Sequence, residues 1–286
     1  MNLPRIKQLV IILLCFLPFM AKSQTLTACR DSIKGGYDFW LYQPVNGDSI
    51  TQRKPLVIFL HGRSLSGRNL SRVLRYGIVD AINRGRKIEA FVLAPQNPRG
   101  SWNPSKINDL LEWTKTRYAI DTTRVYVVGM SLGGYGTIDF ATTYPEKIAA
   151  AMALCGGGSQ LSPHCGLTKV PLWIIHGTAD RVTPVAESQK VVNAMKECGD
   201  TTLLRFDKLK GVNHSKPACF FYWEKTYEWL FAHSLTDSVR FVNRDFTAAD
   251  ALHEAYLNLD RTANKVTVID KQAKTTDLPR KKGKKR

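Results

Sequence analysis

Short apolar runs alternate along the chain with longer amphipathic segments. Residues 55–60 (PLVIFL), 90–94 (AFVLA), 125–128 (VYVV), 148–154 (IAAAMAL) and 172–175 (LWII) show no polar face, the pattern of strands buried on both sides; residues 203–206 form a further candidate. Residues 37–42 alternate more and predict an antiparallel edge strand ahead of the parallel set. Helices are predicted near 70–83, 107–118, 134–144, 185–197 and 219–232. In the second of these, Ile107, Leu110, Leu111 and Thr114 follow the i, i+3, i+4, i+7 spacing of one buried stripe. Such alternation predicts an α/β fold, a mostly parallel central sheet with helices on both faces. There is no internal repeat.

The ends read differently from the middle. Arg5 and Lys7 precede an apolar run from Leu9 to Ala21, too short for the roughly 20 residues that span a bilayer. It closes on Ala21-Lys22-Ser23, with small residues at both positions that a signal peptidase reads. Residues 1–23 are therefore expected to be a cleaved signal peptide, with an uncleaved anchor as the alternative, and the protein to be exported to a periplasmic or extracellular location. The globular part is expected to end near residue 233, making 24–236 the principal domain and 237–286 a C-terminal extension with a short helix at 248–257. From residue 265 onward the chain is rich in Lys, Thr and Asp and closes on RKKGKKR, which predicts a disordered tail.

The charge is +17 for 286 residues, from 41 basic and 24 acidic side chains. Residues 1–23 contribute three of these charges and residues 264–286 seven, so the body is only mildly basic. That excludes a nucleic-acid-binding domain. The tail could attract anionic envelope polymers or simply be solvated. With 44% apolar and 23% charged residues, the composition also excludes a disordered chain and a multi-span membrane protein.

One motif carries chemistry. Gly129-Met130-Ser131-Leu132-Gly133 follows the strand VYVV and opens a helix, where a nucleophile elbow must sit. A sharp strand-to-helix turn lifts the Ser131 hydroxyl above the sheet, and the flanking glycines avoid collision with neighbouring backbone. A serine needs a base, and the base an orienting acid. Asp180, in HGTAD past the strand LWII, and His214, in GVNH past 203–206, both fall at carboxyl ends of strands, the edge where open α/β sheets place their sites. Imidazole suits the task because its ordinary pKa lies near neutrality. Among the other histidines, His61 and His176 precede glycines at strand ends and read as turn-shaping. His164, on a loop, is the rival base, and His233 and His253 come after the last core element. The oxyanion formed on acyl transfer needs donors, for which the backbone N–H groups of Leu132 and Arg63 are the candidates.

On these residues the chain resembles the α/β-hydrolases over about 37–233. It is most similar to the esterase and peptidase branch with dienelactone-hydrolase-like, phospholipase/carboxylesterase-like and feruloyl-esterase-like members. The stretches that carry the resemblance are LHGRS, LAPQ, YAIDTTRVYVVGMSLGGYGT, HGTADRVTP and GVNH. The resemblance implies a Ser131–His214–Asp180 triad, an acyl-serine intermediate, and neither cofactor nor metal. It departs from typical lipases in having HGRSLSG rather than HGGG, and it has no long lid insertion between Asp180 and His214. It implies an exported serine hydrolase of short acyl or aryl carboxylic esters, free or on polysaccharide. The alternatives are a serine peptidase with the same triad and a non-catalytic envelope protein that binds glycans.

Trp102, after the strand AFVLA, is the candidate substrate-binding aromatic, with a packed loop tryptophan as the alternative. Arg63 and Arg99 are candidates to meet an acidic substrate group. Without residues 1–23 five cysteines remain, at spacings that do not suggest zinc. The topology puts Cys155, Cys165 and Cys219 at the carboxyl edge and Cys198 at the opposite one. It therefore predicts a disulfide between two of the first three, and none between Cys198 and Cys219.

Overall fold

The computed structural model of the chain describes residues 24–49, 51–159, 165–260, 262 and 265–270. The expected signal peptide, His164 and the end of the basic tail lie outside the described residues. Nine strands among them form one sheet: β1 (Gln24–Cys29), β2 (Phe39–Gln43), β3 (Lys54–Leu60), β4 (Phe91–Pro95), β5 (Ile120–Met130), β6 (Ala150–Leu154), β7 (Leu172–Gly177), β8 (Leu204–Leu209) and β9 (Val266–Ile269). Their order across the sheet is β8-β7-β6-β5-β3-β4-β2-β1-β9. Strands β3 to β8 are mutually parallel, and β2 runs antiparallel to both β4 and β1. This is the α/β-hydrolase fold.

The apolar runs have no polar face because helices cover the sheet on both sides. Along β3, Val57 and Phe59 enter one core, while Leu56, Ile58 and Leu60 enter the other. Strand β5 divides in the same way, Tyr126 and Val128 facing one layer and Val125 and Val127 the other. The period-two alternation of strand side chains thus supplies two apolar layers from one uninterrupted run. The helices α1 (Ile78–Asn83), α2 (Pro104–Lys115), α3 (Leu132–Thr143), α4 (Ala186–Glu197) and α5 (Glu224–Phe231) occupy the predicted segments. In α2 the stripe Ile107, Leu110, Leu111 and Thr114 is buried, and the Asn103 side chain caps the Lys106 N–H at 3.2 Å.

The helix expected over 70–83 is broken. Leu70–Arg75 is a 3-10 helix, Tyr76 is extended, and Gly77 has φ 94°. A Cβ on Gly77 would come within 2.1 Å of the Phe59 ring, so the chain must turn there on a glycine.

The body does not end near residue 233. Val242, Ala248, Ala251 and Ala255 are buried in the same core as Trp173, Phe220, Trp223 and Trp229. Two buried guanidiniums hold this segment down. Arg205 donates to Asn243 O and Phe246 O at 3.0 and 2.7 Å. Arg86 donates to Leu257 O at 3.0 Å and to Tyr222 O at 2.9 Å. The expectation of disorder from residue 265 onward also fails over Val266–Ile269, where β9 pairs in parallel with β1. Only two apolar alternations mark this strand, too few to register as a periodic signal.

The expected disulfide pairing needs correction. Cys165 pairs with Cys198, their Cα atoms 5.5 Å apart, and Cys155 and Cys219 are free and buried. The error lies in the placement of Cys165. It opens the short helix Cys165–Lys169 that leads directly into β7, so the connection has already crossed back to the amino edge, where α4 ends at Cys198. Closing a loop of 33 residues is worth about 3–4 kcal/mol by loss of denatured-state entropy. Cys198→Ser should lower the urea unfolding free energy by about that amount, and non-reduced peptide maps should recover a Cys165–Cys198 peptide.

Candidate active site

Because β3 to β8 are parallel, every loop that follows one of them emerges at one edge. Ser131 follows β5, Asp180 β7, His214 β8 and Arg63 β3, so these four residues meet there. Ser131 has φ 57° and ψ −120°, a strained backbone for a residue with a Cβ. Its N–H donates to Leu154 O at 2.8 Å, which ties the turn to the neighbouring strand. Helix α3 starts immediately after it, pressed so tightly on β3 that a Cβ at Gly133 would lie 1.8 Å from Leu60 O. The same contact forbids a side chain at Gly129, whose Cβ would stand 2.3 Å from Gly133 O.

Ser131 and His214 line one cavity of about 430 Å³, with Gly62, Arg63, Tyr76, Met130, Val182 and Ala218 among the other walls. His214 Nδ1 lies 2.6 Å from Asp180 Oδ2. The carboxylate is buried, and its other oxygen accepts the Val182 and Thr183 N–H groups, both at 2.9 Å. Burial alone would raise the Asp180 pKa. The His214 hydrogen bond and the two backbone donors outweigh it and hold the carboxyl below its ordinary value. An ionised Asp180 fixes the proton of His214 on Nδ1 and leaves Nε2 free to accept one.

Arg63 and Leu132 are each the first residue of a helix, so neither N–H has an intrahelical acceptor. Both N–H groups are therefore left unclaimed by their own helices, and Arg63 lines the cavity itself.

Three residues at the site were not singled out from the sequence for the parts they play. Tyr76 lines the cavity because of the break at Gly77, and its oxygen accepts the Gly62 N–H at 2.8 Å. Burial pushes this phenol up, so it keeps its own O–H as a donor. His176, read as a turn residue, is completely buried behind the carboxylate. Its Nε2 lies 2.8 Å from Thr183 O and 3.2 Å from Asp180 Oδ2, two acceptors, so this nitrogen carries the proton. The i, i+4 spacing of His176 and Asp180 was the available signal. Cys155 has φ 48° at the end of β6, with its sulfur beside Asp180 and His214.

Cys155, Asp180 and His214 bring potential metal ligands within 4.8 Å of one another. Burial, with the neighbouring carboxylate, pushes the Cys155 thiol up to about 12, and the facing His214 nitrogen is committed to Asp180.

Trp102 does not line the cavity and is not a substrate-binding surface. It is 3% exposed, its indole N–H donates to His61 O at 3.2 Å, and its ring meets those of Tyr37 and His61 edge-on. Contact with Gly136 of α3 fixes it beneath the site rather than at its mouth. His61 is also buried. Its Nε2 accepts the Asn97 N–H at 3.0 Å and its Nδ1–H donates to Gly62 O at 2.8 Å, joining the loops after β3 and β4.

Comparison with known proteins agrees with this architecture. A sequence profile of the Phospholipase/Carboxylesterase family matches residues 102–226. A bifunctional acetylxylan esterase/xylanase of Neocallimastix patriciarum is 27% identical over 154 residues, 51% of this chain and 22% of that protein. Acetylxylan esterase A of Emericella nidulans is 40% identical over 57 residues, 20% of this chain and 19% of that one. The chain thus spans about a fifth of the length of these curated relatives. Among solved structures, a thermostable esterase superposes with a TM-score of 0.59 at 27% identity, covering 75% of this chain and 64% of that one.

The buried His61 makes stability depend on pH. Burial, the largest influence, lowers its pKa from 6.5 to about 4. The unfolded chain therefore binds a proton that the folded chain does not between those values, and stability falls as pH drops from about 6.5 to about 4. The loss should be on the order of 3 kcal/mol by the end of that window. His61→Gln, which keeps an acceptor for Asn97, should flatten this part of the pH dependence of urea unfolding.

Proposed function

We propose that this chain, an α/β-hydrolase of the esterase branch, is a serine hydrolase of carboxylic esters. Ser131 is the nucleophile and His214 the base, taking the serine proton on Nε2 and returning it to the leaving alcohol. Asp180 holds the imidazole in the required tautomer and offsets its positive charge. The N–H groups of Arg63 and Leu132 receive the oxyanion, with the Tyr76 O–H beside them. Water then attacks the acyl-serine by the same route in reverse. No step calls for a cofactor.

One observation carries the reading: a serine in strained left-handed backbone shares a cavity with a histidine whose far nitrogen is 2.6 Å from a buried carboxylate. A glycan-binding protein has no use for that strain, which costs on the order of 1–3 kcal/mol. The Phospholipase/Carboxylesterase match and the esterase likeness support ester rather than peptide hydrolysis. The likeness to two acetylxylan esterases favours short acyl groups on a polysaccharide. Export is part of the same proposal, supported by the charged-then-apolar segment at residues 5–23 and by the Cys165–Cys198 disulfide.

Hydrolysis of p-nitrophenyl acetate tests the assignment. Ser131→Ala should lower kcat by at least about 10³-fold, and Asp180→Asn by about 10⁴-fold through loss of the correct tautomer. A fluorophosphonate should label wild type and spare Ser131→Ala. Cleavage of an aminoacyl anilide without ester hydrolysis would move the protein to the peptidases.

A further inference from the structure

The charge of the body is unevenly placed. Between residues 24 and 263 there are 29 basic and 22 acidic side chains, a surplus of seven. The loops that leave the carboxyl ends of the parallel strands are residues 61–77, 96–103, 155–159, 178–185 and 210–218. They carry Arg63, Arg68, Arg72, Arg75, Arg99, Arg181, Lys210 and Lys216, and a single acid, Asp180. Asp180 is buried and already bound. These loops therefore hold the whole surplus, and the rest of the body sums to zero. The remaining loop at this edge, 30–38, is balanced, with Arg30 and Lys34 against Asp31 and Asp38.

These cations are not paired with acids, although Arg72 also donates to Ser64 O at 2.8 Å. All except the half-buried Arg72 are exposed. Among the described residues, no ion pair includes any of the eight. Elsewhere on the molecule cations do find acids, as the half-buried Lys54 finds Glu89 and the exposed Lys190 finds Glu187. A stability role would produce such pairs here too. A field of one sign around a cleft instead concentrates ligands of the opposite sign.

The spread of the charges indicates the size of that ligand. They come from loops after β4, β3, β7 and β8, and β4 and β8 are separated by four strands. At about 4.8 Å per strand spacing the array is on the order of 24 Å wide. A small anion would meet one or two of these groups, whereas an extended polyanion would meet most of them. The cavity of about 430 Å³ has room for an acyl group and its nearest attachment, so the remainder of a polymer must lie across the charged rim.

Resting on the ester-hydrolase reading above, we propose that the substrate is an O-acylated acidic polysaccharide. Its acyl ester enters the Ser131 cavity, and carboxylates on flanking sugar residues pair with Arg63, Arg68, Arg99, Lys210 and Lys216. A nucleic acid would meet the same charges but finds no exposed tyrosine, tryptophan or phenylalanine to stack on in these loops, since Trp102 is buried and Tyr76 is half-buried in the cavity wall.

The test uses the full chain and three substrates: acetylated polygalacturonate, acetylated glucomannan as the neutral polymer, and p-nitrophenyl acetate. At 10 mM NaCl, kcat/KM for the acidic polymer should exceed that for the neutral one by at least about tenfold, and the advantage should vanish at 0.5 M NaCl as charges are screened. Unacetylated polygalacturonate should inhibit p-nitrophenyl acetate hydrolysis competitively, and dextran should not. Arg68→Gln/Arg99→Gln/Lys210→Gln should abolish most of the preference and leave p-nitrophenyl acetate turnover unchanged. Equal rates on the two polymers, or no acetate released from the acidic one, with normal p-nitrophenyl acetate turnover would overturn this inference while leaving the esterase. Inhibition by DNA as strong as by polygalacturonate would overturn the carbohydrate assignment. Loss of p-nitrophenyl acetate turnover and of fluorophosphonate labelling in wild type would instead overturn the ester-hydrolase reading itself.

Discussion

The site depends on how closely one helix can approach one strand. Helix α3 rests on the end of β3 at a distance that leaves no room for a single carbon atom at Gly133. That approach goes with the left-handed backbone of the Ser131 turn, and α3 begins at the very next residue. It also brings Gly62 and Arg63 to the rim of the cavity that Ser131 lines. A wider spacing would relax the serine and separate the two donors. The strain is held by the main-chain bond to β6 and by an apolar layer on each face of the sheet, so rigidity far from the site maintains its geometry.

The carboxylate behind the histidine is treated with similar care. Four N–H groups converge on Asp180: those of Val182 and Thr183 on one oxygen, and those of His214 and His176 on the other. A buried charge with fewer partners would recover a proton and release the imidazole. His176 is itself pinned by Thr183 O and Ser188, so the support extends into α4. The part of the site that looks passive is the most densely bonded.

Much of this was legible in the sequence because the determining signals are local. Strands buried on both faces need continuous apolar runs, and β3 to β7 have them. The elbow needs small residues at fixed positions around the serine, and Gly129 and Gly133 are there. What escaped is set by the path of the chain in space. Tyr76 enters the cavity only because Gly77 breaks a segment whose apolar pattern reads as one helix. Cys165 reaches Cys198 because its loop recrosses the sheet before β7 begins. Trp102 follows a strand end, as a residue at the mouth would, but turns inward against His61 and Gly136. Strands β1 and β9 lie at one end of the sheet, half-buried or exposed apart from Leu26, and lack the apolar excess that marks β3 to β7.

The pairing of β1 with β9 joins the start of the described chain to its end, and this bears on the order of events during synthesis. A ribosome delivers β1 first and its edge partner last. The guanidinium of Arg86 likewise waits for Leu257 O, and that of Arg205 for Asn243 O and Phe246 O. Until those residues emerge, two cations destined for burial lack their acceptors and the sheet ends in an unpaired strand. A nascent chain of this protein can assemble the strands around Ser131, but it cannot close the native core before nearly all of the described sequence has been made. Closure of the core therefore waits for the last of the described residues.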